Sequence, residues 1–240
     1  MNTASAEIQR VRGGGDAGFF AAAALVFGIA VALTIHGCLT MSWMRMPGQP
    51  WPGVVAGFLG MWVAMMVAMM LPSLLPTLWC YRRALRRAGG IHPGWLTLLM
   101  GVGYFAVWST VGVVAVPLSV ALAAIPMRWP AAGALLVIAG LLQFTAWKAH
   151  HLACCRAGPG HGHTLAADAG GAWRSGLRRG LHCSYCCAGP TAILLAFGFM
   201  DLRAMLLVML AVTAERLAPA GERVARASGV IAVAWGLLLI

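Results

Sequence analysis

The chain has 240 residues, of which 61% are hydrophobic and only 10% charged, and its formal net charge is +11. A soluble domain carries about 25% charged residues. This chain lacks that polar surface and reads as an all-α, polytopic helical membrane protein. The basic residues sit in short stretches between apolar runs rather than on one polar domain, which points to the lipid bilayer as partner and against nucleic acid.

Residues 1–18 form a polar tail, read as cytoplasmic, ahead of the first apolar run, Phe19 to Leu39. That run is long enough to cross a hydrocarbon core of about 30 Å. It exceeds the apolar part of a cleavable signal, about 7–15 residues, so it reads as a retained anchor. Residues 19–240 then form a single helical membrane domain. Further apolar segments follow at 54–80, 95–122, 131–151, 183–200, 203–217 and 226–240. Seven spans is the favoured count and six the alternative. The two short segments joined at Met200-Asp201-Leu202 form a tight hairpin, two extended spans or a re-entrant pair. With the N-terminus inside, 14 of the 17 Lys and Arg residues fall on the inner side, leaving Arg45, Arg128 and Arg203 outside. That asymmetry is the positive-inside signature.

The second segment contains MWVAMMVAMM at 61–70. At 100° per residue Met61, Met65 and Met69 form one ridge, with Met66 and Met70 alongside. Thioethers are neutral soft donors suited to Cu(I), and they are also flexible core fillers. Pro72 and Pro76 follow and are expected to kink the helix or loosen its hydrogen bonds. Met41, Met44 and Met46, in MSWMRM, place three more thioethers just outside the membrane. Cys38 and Cys80 stand alone in apolar runs and read as packing residues.

Gln143, Thr145 and Lys148 bring polar groups to the fourth segment. Such groups face protein or a cavity, although Lys148 is near enough to the interface to snorkel. KAHHLACCRAGP (148–159) spaces His151 from Cys155, and His150 from Cys154, by four residues, so either pair can share a helical face. The stretch 152–181, with GPGHGH at 158–163, reads as a flexible connector in which His161 and His163 are solvated. It ends at LHCSYCCAGP (181–190), which holds His182, Cys183, Cys186 and Cys187. If a helix begins near Cys183, the three thiols share one side, and the helix N-terminus favours their thiolate form. The topology puts them at the cytoplasmic mouth of the fifth span, where thiols stay reduced and serve metal or redox chemistry rather than disulfides. Both ends of the connector lie on the same side, so one site can draw on both helices. The donor set favours Cu(I), with zinc the second fit. Glu215 beside Arg216 reads as an interfacial pair.

These stretches resemble the bacterial integral membrane proteins grouped as domain of unknown function 2182. MWVAMMVAMMLPSLLP (61–76) is similar to that family's Met-rich helix. The motifs around 148–159 and 181–190 are similar to its two Cys motifs, and ERLAPAG (215–221) to its acidic-basic pair followed by Pro and Gly. The chain departs from the pattern in having His151 where the first cysteine after the lysine falls. The resemblance covers about 54–225. It implies residence in the bacterial inner membrane, metal binding and copper handling.

The leading reading is a Cu(I)-handling membrane protein, a chaperone or a conduit, served by a metal-donor protein or a membrane-complex partner. No Walker motif supports ATP-driven pumping. A thiol oxidoreductase using Cys183 and Cys186 is the first alternative, though it lacks the thioredoxin-like context. An assembly subunit of a membrane complex is the second. No nucleophile–base–acid arrangement points to an enzyme.

Overall fold

The computed structural model describes residues 3–40, 51–89, 91–124, 129–156, 168–197 and 201–240, and every regular element among them is helical. In chain order these are α1 (Thr3–Thr40), α2 (Trp51–Arg87), α3 (Pro93–Ala124), α4 (Trp129–Leu142), α5 (Ala146–Arg156), α6 (Ala169–Cys186), α7 (Ala188–Phe197), α8 (Leu202–Leu217) and α9 (Gly221–Leu239). Met41, Met44, Met46, Arg45, Arg128, His161, His163 and Met200 lie outside the described residues.

Three helices are long and apolar enough to cross a membrane alone: Asp16–Thr40, Val55–Arg87 and Pro93–Ala115. A fourth span results if Ala132–Leu142 and Ala146–Arg156, bent by 64° at their junction, count as one. The seven-span reading is not established by these lengths. The shortfall is physical: the second half of the chain breaks its apolar runs into short helices and loads α5 and α6 with Lys, Arg and His.

Two sequence expectations are corrected here. The stretch 152–181 is not a continuous connector, because α5 runs on to Arg156 and α6 starts at Ala169. Asp168 caps α6, its side chain accepting from the Gly171 N–H, and that local bond offsets the low helix propensity of the glycines that follow. The thiols therefore do not sit at the start of a helix. Cys183 and Cys186 occupy the last turn of α6, and Cys187 is the joint before α7.

Small residues set the closest helix contacts. A Cβ on Gly176 would strike the Met100 carbonyl, and one on Gly180 would lie 2.8 Å from the Tyr104 carbonyl, so α6 lies backbone to backbone against α3. Gly133 with Gly236, and Gly140 with Gly229, do the same for α4 and α9. Helix α1 lies against α2, joined by the Asp16–Arg86 ion pair at 2.8 Å and by Gly37 against Met61. Trp62 anchors α2 to α3, its indole N–H donating to the Trp108 carbonyl at 2.9 Å. Helix α2 continues through both Pro72 and Pro76.

Candidate metal centre

Four thiols from two helices converge in the core. Cys183, Cys186 and Cys187 are all buried, with their sulfurs within 4.8 Å of one another. Cys183 Sγ lies 3.8 Å from Cys187 Sγ, and Cys186 Sγ lies 3.6 Å from Cys187 Sγ. From α5, Cys155 Sγ reaches Cys186 Sγ at 3.8 Å. All four are free cysteines. One ion bonded to sulfur at about 2.3 Å holds tetrahedral ligands about 3.8 Å apart. The measured separations match that spacing, so these sulfurs fit a single soft cation.

The periodicity of the chain explains the convergence. Cys183, Cys186 and Cys187, at i, i+3 and i+4, share one face of α6 and its extension. That face is held inward by the glycine contact with α3. Helix α5 then lays Cys155 across the joint.

A thioether completes the sulfur set: Met70 Sδ lies 3.9 Å from Cys183 Sγ. Met61, Met65 and Met69 are buried on the same helix, as is Met66. The ridge therefore leads to the thiols through Met70, its last member.

The height of the site differs from the sequence expectation. Met70 is 15 residues from Val55 and 17 from Arg87, and Tyr104 is 11 residues from both Pro93 and Ala115. The cluster is level with the midpoints of the two spanning helices α2 and α3, not at a helix mouth. The thiol set was expected at an end because α6 was taken for a loop.

Charged groups surround the sulfurs. Tyr104 OH donates to Cys183 Sγ at 2.8 Å. Arg216 is buried and directs Nη1 to Ser73 Oγ at 2.8 Å, to Tyr104 OH at 3.2 Å and to Cys183 Sγ at 3.3 Å. Lys148 is buried rather than snorkelling. Its Nζ donates to the Cys186 carbonyl and pairs with Glu215 at 2.7 Å. Glu215 also accepts from Gln143 at 3.1 Å and Ser228 at 2.8 Å. Glu215 and Arg216 thus do not form the expected interfacial pair. Neighbours on a helix point about 100° apart, so each finds a different buried partner.

The histidines gather elsewhere. His151 Nδ1 lies 3.0 Å from His182 Nδ1, and His151 packs against the exposed rings of Trp147 and Tyr185. His150 Nε2 lies 3.8 Å from Cys154 Sγ, also toward the surface. Burial pushes the His182 imidazole below its ordinary value, and His151, His150, Arg178 and Arg179 add to that. The predicted constellation is therefore two groups: Cys155, Cys183, Cys186 and Cys187 inside, and His150, His151, Cys154 and His182 outside.

This sulfur site lies within residues 59–239, the part of the chain that matches the family described as PpoB2, copper chaperone. The chain belongs to that copper chaperone family. No curated protein and no solved structure matches it. The copper-related resemblance drawn from the motifs is in accord with this membership, and the metal implied by the family is one that the buried donor set suits.

Tyr104 and Ser73 were not foreseen in this copper chaperone family member. Tyr104 is one of only three tyrosines, and a hydroxyl in an apolar helix needs a partner. That is the signal that finds it.

Proposed function

We propose that this protein is an integral membrane Cu(I) chaperone that holds its cargo on Cys183, Cys186 and Cys187, with Cys155 and Met70 completing the sulfur set. The observation that carries the reading is the packing of four free thiols and a thioether at ligand spacing in a buried site. Soft thiolate and thioether donors select Cu(I) over hard cations, and zinc is the second fit. Each bound thiolate adds negative charge, and Arg216 and Lys148 are placed to offset it.

The ridge from Met61 through Met65 and Met69 extends from the site along α2 and offers neutral donors for onward movement, which makes a conduit the natural extension of the chaperone role. The arginine bias favours a multi-pass protein of the bacterial inner membrane with its N-terminus inside. The role is binding and transfer rather than catalysis, and it calls for a metal-donor or acceptor partner.

The test is elemental analysis of reduced, purified protein beside the Cys183→Ser/Cys186→Ser/Cys187→Ser variant. Copper should be near stoichiometric in the first and at background in the second. Equal, low copper in both sinks the reading. A reversible Cys183–Cys186 disulfide that forms without metal would instead favour the thiol-redox alternative, and a stoichiometric protein partner without metal would favour an assembly subunit.

A further inference from the structure

A small cavity of about 140 Å³ opens beside the thiols, walled by Ser73, Thr77, Cys80, Cys155, Arg156 and Arg216 among others. Cys80 is an exposed free thiol, whereas Cys155 is buried and touches Cys186. The cavity thus joins an exposed sulfur to the buried set. Along α2, Cys80, Thr77, Ser73, Met70 and Met66 fall within about 80° of the helix circumference. From Cys80 to Ser73 is about 10 Å along the axis. One side of α2 therefore carries sulfur and hydroxyl groups from the exposed thiol down to the cluster.

The electrostatics of the walls are one-sided. Arg156 and Arg216 both line the space and no carboxylate does. Arg156 is fixed by donating to the carbonyls of Glu215 at 2.9 Å and Pro219 at 3.0 Å. Arg216 is 7% exposed, and its Nε has no hydrogen-bond partner among the described residues. Two guanidinium groups with two hydroxyls make an anion-binding surface. The volume corresponds to about four or five waters at ~30 Å³ each, enough for a halide or the thiolate end of a larger donor.

We propose that this cavity is the loading port of the copper site. Cys80 takes Cu(I) from an incoming complex, and Arg156 and Arg216 hold the small anion, halide or thiolate, that accompanied it. The proposal rests on the copper reading above and adds a residue and a substrate class to it. Copper stays Cu(I) throughout. As the Cu–S bond to Cys80 forms, one Cu–anion bond breaks, the Cys80 proton passes to water and the anion remains against the guanidinium groups. Cys155 then displaces Cys80 on the metal and hands it the Cys155 thiol proton, and the ion moves on to Cys186. A merely space-filling Cys80 predicts no effect on loading.

The test follows loading of reduced full-length protein in nanodiscs through the rise of Cu–thiolate absorbance. Cu(I) is presented as its chloride, glutathione or acetonitrile complex, and final copper content is measured by elemental analysis. Cys80→Ser should reach the wild-type copper content with an initial rate about tenfold lower from every source, in the range by which supporting groups alter metal sites. Arg156→Gln should slow the chloride and glutathione sources about tenfold, as loss of charge steering does, and leave acetonitrile unchanged. Arg156→Lys should restore both. In the wild type, inorganic sulfate should compete with the two anionic sources alone, a readout that does not depend on a variant folding. Sensitivity to one anionic source alone names the companion anion. A wild-type loading rate in Cys80→Ser overturns the port. An equal effect of Arg156→Gln or of sulfate on all three sources overturns the anion. A wild type that takes up no copper sinks the copper reading itself.

Discussion

Helices α5 and α6 each contribute to two clusters. Toward α2 and α3, Cys155 meets Cys186 in a dry sulfur site capped by Arg216 and Tyr104. On the outer side His151 meets His182 beside Trp147 and Tyr185. Cys183 follows His182 directly, and Cys155 lies four residues beyond His151, yet one group is buried and the other is not. The helical turn separates ligands that the sequence places together. Burial then decides their chemistry: the sulfurs are shielded and already spaced for one ion, whereas the imidazoles stand where water competes for any metal they hold.

The contrast breaks most sharply in the thiol set. Cys183→Ser/Cys186→Ser/Cys187→Ser should lose its copper in elemental analysis, while His151→Ala/His182→Ala keeps it. Next in size is Lys148→Met. It leaves Glu215 charged in the interior, and removing one partner of a buried ion pair costs about 3–5 kcal/mol. Denaturant unfolding in detergent should show that loss, and Lys148→Met/Glu215→Gln should recover part of it. Tyr104→Phe removes the hydrogen bond to Cys183 and should weaken copper binding about tenfold in a competition assay with a Cu(I) chelator, as loss of an outer hydrogen bond to a ligand does. The smallest effect belongs to the histidines, where His151→Ala/His182→Ala should shift stability by no more than about 0.5 kcal/mol, as surface changes do. If that variant lost copper as completely as the thiol variant, the two groups would be one site.

Much of this was legible in the chain. The apolar runs gave the first three long helices, and the crowding of Cys183, Cys186 and Cys187 marked the sulfur site. Helix α6 was missed because its glycines and arginines look like a connector. It is held by the Asp168 cap and by α3 packed against it, and packing of that kind is a tertiary effect that local composition does not report. The placement of Glu215 and Arg216 was missed for a related reason. Adjacent opposite charges suggest a pair, but which buried partner each one meets depends on α2, α5 and α6, far away in sequence. Cys80 read as a space-filler because nothing near it in the chain resembles a ligand. Its neighbours in the cavity come from α5 and α8.

The backbone contact of Gly176 and Gly180 with α3 has a last consequence. Two chains that touch carbonyl to Cα leave no side chains between them to rearrange, so α6 cannot roll or slide on α3 without parting from it. The wall of the sulfur chamber carrying three of its four thiols is therefore the fixed one. Whatever lets an ion in or out has to swing from the opposite side, where α5 and the end of α8 are latched by polar bonds that can be broken and remade.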